Sequence, residues 1–169
     1  RVVLTMMMMA VTCIGQVSAQ SCDSVSNREY DGFFLEAMTQ RQKGNHDAAF
    51  DLLRHCQELN PQAPEVYYYL AQYYGAIKDS ERTMACIKKA AELDPDNTTF
   101  METLANTYIS QQDYASAIPV IKDIYERDKS QEDMLEMLFQ LYQQTEDYEN
   151  AIGISRSEER RVGKEWRSR

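Results

Sequence analysis

Tyr67-Tyr68-Tyr69-Leu70-Ala71-Gln72-Tyr73-Tyr74, closed further on by Asp94-Pro95-Asp96-Asn97, is the stretch that decides the fold. Tyr67, Leu70, Ala71 and Tyr74 stand at i, i+3, i+4 and i+7, which puts them on one face of a helix. The small Ala71 lets a partner helix approach, while the tyrosines fill the space above and below. Asp79 begins a turn. Met84, Ile87, Ala90 and Ala91 then give a second apolar helical face. Asp94-Pro95-Asp96-Asn97 stops that helix and turns the chain again. The spacing predicts a helical hairpin over 64–97.

The hairpin repeats. Shifting the chain on itself by 34 places Tyr74, Tyr108 and Tyr142 in one column, and Leu70, Leu104 and Leu138 in another. Ala37, Ala71 and Ala105 form a third column, and Asp79, Asp113 and Asp147 a fourth. Ala49, Ala117 and Ala151 fall together, as do Phe50, Met84, Ile118 and Ile152. Pro61 and Pro95 close two successive units. No insertion breaks the register. One hairpin cannot bury both of its apolar faces, so stacked neighbours must build a continuous core. The expected fold is all-α, an α-solenoid of antiparallel helical hairpins.

These columns resemble the tetratricopeptide repeat, a helical hairpin of 34 residues. The resemblance covers 30–155, read as units 30–63, 64–97 and 98–131 and a truncated unit 132–155. The last unit stops inside its second helix, so the expectation is that the chain is the front of a longer protein. Several positions depart from the pattern. Glu36 and Gln40 make the first unit degenerate, as in an N-terminal capping repeat. Thr83 stands where a small alanine is expected. Lys129 replaces the closing proline, so a less sharply bent third junction is expected. Pro119, early in a second helix, removes a hydrogen bond and favours a kink. Phe139 occupies a small-residue slot, and the register fails there if it fails anywhere.

Both ends read differently from this body. Arg1, the uncharged apolar run from Val2 to Val17 and the small residues Ser18 and Ala19 make 1–19 a secretory signal. Residues 20–29 are then a linker. The run Arg156-Ser157-Glu158-Glu159-Arg160-Arg161, continued to Arg169, resembles a translated sequencing adapter, so 156–169 is read as a non-native tail. The expected location is exported, periplasmic or outer-membrane-associated in a bacterium.

Charge narrows the partners. The 169 residues carry 18 basic and 27 acidic groups, a net charge of −9. The tail holds six basic and three acidic groups, and Arg1 belongs to the leader. Residues 20–155 therefore carry 18 − 7 = 11 basic and 27 − 3 = 24 acidic groups, a net charge of −13. So acidic a body repels phosphate backbones and anionic surfaces, which sets nucleic acid aside.

The sequence offers little for catalysis. No glycine-rich phosphate loop occurs. His46 lies in the Gly44-Asn45-His46-Asp47 turn and His55 has no ligand-type partner at i±4, so both read as packing residues and no metal or cofactor is expected. Asn97-Thr98-Thr99 matches a glycosylation acceptor, in an inter-repeat turn. Beyond the leader only Cys22, Cys56 and Cys86 remain. They form no metal spacing, and whether Cys56 and Cys86 pair is left open.

The remaining candidate is the face of each first helix turned away from its hairpin partner. In the repeat family that face lines a concave groove that holds peptides. One column there reads Phe34, Tyr68, Glu102 and Glu136, a second Met38, Gln72, Asn106 and Gln140, a third Leu35, Tyr69, Thr103 and Met137. The candidate groove residues are Phe34, Leu35, Met38, Tyr68, Tyr69, Gln72, Glu102, Asn106 and Gln140. Its N-terminal end is aromatic and its C-terminal end amide-rich and acidic. No Lys or Arg occupies the three columns, so the subclass that grips acidic tails is set aside. Tyr67 and Tyr74 are core by phase, whereas Tyr68 and Tyr69 point elsewhere.

The resulting expectation is an exported, non-catalytic scaffold that binds a protein or peptide segment with an apolar anchor and basic or amide groups, and no small-molecule substrate. The rival expectation is the sensing ectodomain of a larger membrane signalling protein.

Overall fold

The computed structural model describes residues 28–156, so the leader at 1–19, most of the linker with Cys22, and the tail from 157 onward lie outside the described residues. Eight helices succeed one another with short turns between them. They are α1 (28–42), α2 (His46–Leu59), α3 (Pro64–Ala76), α4 (Ser80–Leu93), α5 (Thr98–Ser110), α6 (Tyr114–Arg127), α7 (Glu132–Gln144) and α8 (148–156). There is no strand among the described residues. None of these helices is long and apolar enough to cross a membrane. From α2 to α7 each helix packs on the next in sequence, as in a solenoid.

The core is built in three linked segments. Tyr30, Ala37, Leu53, Cys56, Val66 and Leu70 join α1, α2 and α3. Ala71, Ile87, Ala90, Phe100 and Leu104 join α3, α4 and α5. Ala105, Ala117, Ile121, Leu138 and Leu141 join α5, α6 and α7. Every second helix of these three units is thus held between the first helix of its own unit and that of the next. The columns of alanine explain how the helices come so close: Ala37, Ala49 and Ala117 are wholly buried, and Ala71, Ala105 and Ala151 nearly so.

The turn inside each hairpin has one geometry, used four times. Gly44, Lys78, Gln112 and Glu146 share a column and all have positive φ, at 79°, 61°, 61° and 59°. The next residue's N–H returns to a carbonyl five residues back: Asn45 to Gln40, Asp79 to Tyr74, Asp113 to Tyr108 and Asp147 to Tyr142, all within 2.8–3.0 Å. This is the Schellman closure of a helix C-terminus, which needs a left-handed residue and prefers glycine there. Only Gly44 meets that preference. Asp79, Asp113 and Asp147 then cap the second helices, accepting from the N–H of Arg82, Ser116 and Asn150.

Four departures from the repeat pattern resolve in the structure. The third junction is not opened by Lys129: Asp128 N–H still returns to Ile124 O, as Asp94 does to Ala90 and Asn60 to Cys56. Asp128 Oδ1 accepts from both the N–H and the hydroxyl of Ser130, at 3.0 and 2.6 Å, supplying the local constraint that proline supplies elsewhere. These bonds hold the Asp128 carboxyl below its ordinary range. Helix α6 continues through exposed Pro119. Phe139 is half-buried beside a buried Leu138, so the register holds to the last unit. Thr83 stands against Gly75 of α3, where an added Cβ would lie 3.8–3.9 Å from the threonine side chain, an ordinary contact.

The tyrosine-rich helix corrects one expectation. Tyr67, Tyr68, Tyr69, Tyr73 and Tyr74 are all half-buried, and Tyr68 and Tyr69 pack on core clusters just as Tyr67 and Tyr74 do. The fully buried residues of α3 are Val66, Leu70 and Ala71. Five large rings cannot all fit a stripe one residue wide, so the helix shares them between two neighbouring core segments.

Candidate binding groove

The first-helix face is organised by aromatic contacts between units. Tyr30 and Phe34 stack at 5.8 Å on α1. Phe34 meets Tyr69 of α3 at 6.0 Å, Tyr69 meets Tyr68 at 5.4 Å, and Tyr68 meets Phe100 of α5 at 5.1 Å. Five rings therefore run without a break across three units. The contacts do not follow the sequence columns. Phe34 touches Tyr69, not its column mate Tyr68, and Tyr68 touches Phe100, not Glu102. The offset comes from the rotation between successive units of a solenoid, which a flat alignment cannot show.

The other candidate residues are spread over α1, α3, α5 and α7. Met38 is half-buried against the first core segment, and Leu35, three residues earlier, stands 70% exposed. Gln72 is already engaged, since its Oε1 accepts from Arg41 Nη2 at 2.7 Å. Glu102 and Asn106 share a recess of about 50 Å³ with Met134 and Met137, between α5 and α7. Gln140 is exposed and donates to Glu136 Oε1 at 3.3 Å within its own helix. Phe34, Tyr68 and Tyr69 are thus brought together, as are Glu102 and Asn106; Leu35 and Gln140 make no such union.

Three residues escaped the sequence reading. Phe100 ends the ladder. Arg41 places its guanidinium carbon 4.7 Å above the Tyr69 ring centroid, so a cation does stand on this face although none lies in the three columns. Its signal was legible, because Phe34, Met38 and Arg41 lie at i, i+4 and i+7. Tyr73 is the third: its hydroxyl is buried and has no hydrogen-bond partner. Burial pushes that phenol's pKa up, and the charge of Arg41 opposes the rise.

The histidines of this region lie against aromatic rings, and the cysteines lie in or against the core. His46 lies edge-on to Tyr73 at 6.1 Å and His55 edge-on to Phe33 at 4.6 Å. Cys56 and Cys86 are free thiols, and burial raises both pKa values, that of Cys56 to about 11. Among the described residues no cluster of His, Cys, Asp and Glu could hold a metal.

Residues 30–63 and 64–97 each match the tetratricopeptide repeat model. Residues 30–97 are two tetratricopeptide repeats. Solved structures agree on the fold. MamA of AMB-1 superposes with a TM-score of 0.65 at 17% identity, over 75% of this chain and 69% of that one. A second MamA crystal structure gives 0.64 at 14% identity, over 82% and 81%. A chain of the Naa15/Naa10 structure bound to HypK-THB gives 0.66 at 18% identity, over 78% of this chain and 20% of that one. No curated protein matches the chain in sequence. The four hairpin turns share one left-handed position, and glycine fills it only at Gly44.

Proposed function

We propose that this chain is an exported, non-catalytic scaffold that holds a segment of another protein along the first-helix groove. The observation that carries the reading is the unbroken ladder Tyr30, Phe34, Tyr69, Tyr68 and Phe100. Its half-buried members Phe34, Tyr69 and Tyr68 offer rigid contact area at little entropic cost, which is what anchor sites on protein partners use, while Tyr30 and Phe100 are buried and hold the two ends in the core. The Naa15/Naa10 structure bound to HypK-THB is a relative in fold seen with a protein partner, and it supports the same reading. The partner segment puts an apolar anchor on the ladder and basic or amide groups toward Glu102 and Asn106. Export rests on the leader-like residues 1–19 and is part of the proposal.

Selection from a random nonapeptide display library, with calorimetric titration of the synthesised winners, tests the groove. Affinity should drop at least tenfold in both Phe34→Ala and Tyr68→Ala, with helical circular dichroism retained. Winners that bind both variants as tightly as the parent chain would place the site elsewhere. Export is checked by cell fractionation and N-terminal sequencing, for which a mature chain beginning at Gln20 is expected.

A further inference from the structure

A cleft of about 470 Å³ opens beside the ladder, between the C-terminal ends of α1 and α3 and the start of α2. Phe50, Tyr73, Ala76 and Ile77 make it apolar, and Arg41 and His46 stand among its lining. Ile77 is 69% exposed, an unusual position for a large aliphatic residue beside a ring such as Tyr73. Phe50 and His46 both lie edge-on to Tyr73, at 5.8 and 6.1 Å, and so fix that ring in the cleft wall.

Two polar groups here lack what they need. Arg41 has no carboxylate within ion-pair reach among the described residues; its contacts are Gln72 and the face of Tyr69. The Tyr73 hydroxyl has neither donor nor acceptor. A buried hydroxyl without a partner is costly, and so is a guanidinium with only neutral neighbours at the edge of an apolar cleft. Both deficits are met by one kind of group, an anionic oxygen entering between them.

We propose that this cleft takes the side-chain carboxylate of an Asp or Glu, flanked by an apolar residue, from the segment bound along the ladder. Arg41 provides the charge, Tyr73 the hydroxyl donor, and Phe50 and Ile77 the contact for the flanking side chain. The body's overall acidity does not forbid this, because charges more than about 8 Å away are largely screened at physiological salt. Asp47 is the one carboxylate in the lining, and it makes no ion pair with Arg41. A side chain is favoured over a chain terminus because Arg41 and Gln72 border both cleft and ladder, so the segment's main chain continues past the opening. With Glu102 at the other end of the groove, the two opposite preferences would fix the direction in which the segment lies. The assignment rests on the groove reading only for that continuity.

The test uses N-acetyl-Leu-Glu-amide, N-acetyl-Leu-Gln-amide and N-acetyl-leucine, titrated against the full ¹⁵N-labelled chain. The Glu dipeptide should shift amides of 41–47 and 72–77 and bind at least fivefold more tightly than its Gln counterpart. Arg41→Gln should erase that preference, and Tyr73→Phe should reduce it at least twofold. The dipeptides are too short to need the ladder, so a failure of the ladder and a failure of the cleft give different results. Equal binding of the two dipeptides, or a preference that survives Arg41→Gln, overturns the proposal. Tighter binding of N-acetyl-leucine than of the Glu dipeptide overturns the side-chain assignment.

Discussion

The hydroxyl of Tyr30 donates to Glu65 Oε1 at 2.6 Å and so ties the first helix of one unit to the first helix of the next. Tyr30 is itself buried, so its ring packs in the core while its polar tip crosses the junction. A hydrogen bond to a charged acceptor is worth more than a neutral one. Tyr30→Phe keeps the ring and loses the bond, and should cost about 1–2 kcal/mol by urea denaturation. Burial, and then the bond to Glu65, push the phenol's pKa above its ordinary value. The protonated form is therefore the stabilising one. Its contribution is full below about pH 10 and declines as pH rises beyond that. Tyr30→Phe should lose less stability than the parent chain on going from pH 9 to 11.

The left-handed column offers a second prediction. Lys78, Gln112 and Glu146 hold φ near 60°, where a side chain costs about 1–2 kcal/mol relative to right-handed backbone. Glycine removes that cost but gives back some entropy, so Gln112→Gly should stabilise by about 0.5–1 kcal/mol. Gly44→Ala should destabilise by about 1 kcal/mol by the same reasoning, although open space surrounds its Cα. Paired chemical melts of the two variants read both signs.

Truncations in α3 should rank by burial and not by ring size. Leu70 is almost wholly buried, and Leu70→Ala should cost about 2–5 kcal/mol. Tyr68 and Tyr74 are half-buried, so Tyr68→Ala and Tyr74→Ala should each cost less than Leu70→Ala in the same thermal melts. Near-equal damage from the two tyrosines, with a larger loss at Leu70, is the expected order.

Cys56 gives a prediction in pH and reactivity. Burial raises its thiol to about 11, so the neutral form belongs to the folded state. Stability from this group is full below the ordinary thiol range and is lost as pH climbs from about 9 toward 11. Cys56→Ala should flatten that part of the pH profile while lowering stability at neutral pH. In the parent chain at pH 8, a thiol reagent should modify Cys86 well before Cys56, because the thiolate is the reactive form and Cys56 is wholly buried. Mass spectrometry of the digested product assigns the sites.

The period of 34 and the alternation of large and small apolar residues determined the fold by themselves. Repeating Leu70, Leu104 and Leu138 beside Ala71 and Ala105 can bury one face only by stacking, so hairpin, solenoid and unit boundaries all come from local pattern. The aspartates that cap α4, α6 and α8 were legible for the same reason, since a cap acts within one turn of chain. What only the tertiary structure decided depends on rotation between units. That rotation sets Phe34 against Tyr69, carries the ladder on to Phe100, and swings Arg41 over Tyr69 and into the lining of the cleft that Tyr73 also borders. A sequence column records spacing along the chain, and the offset between neighbouring helices is fixed only when their side chains interlock.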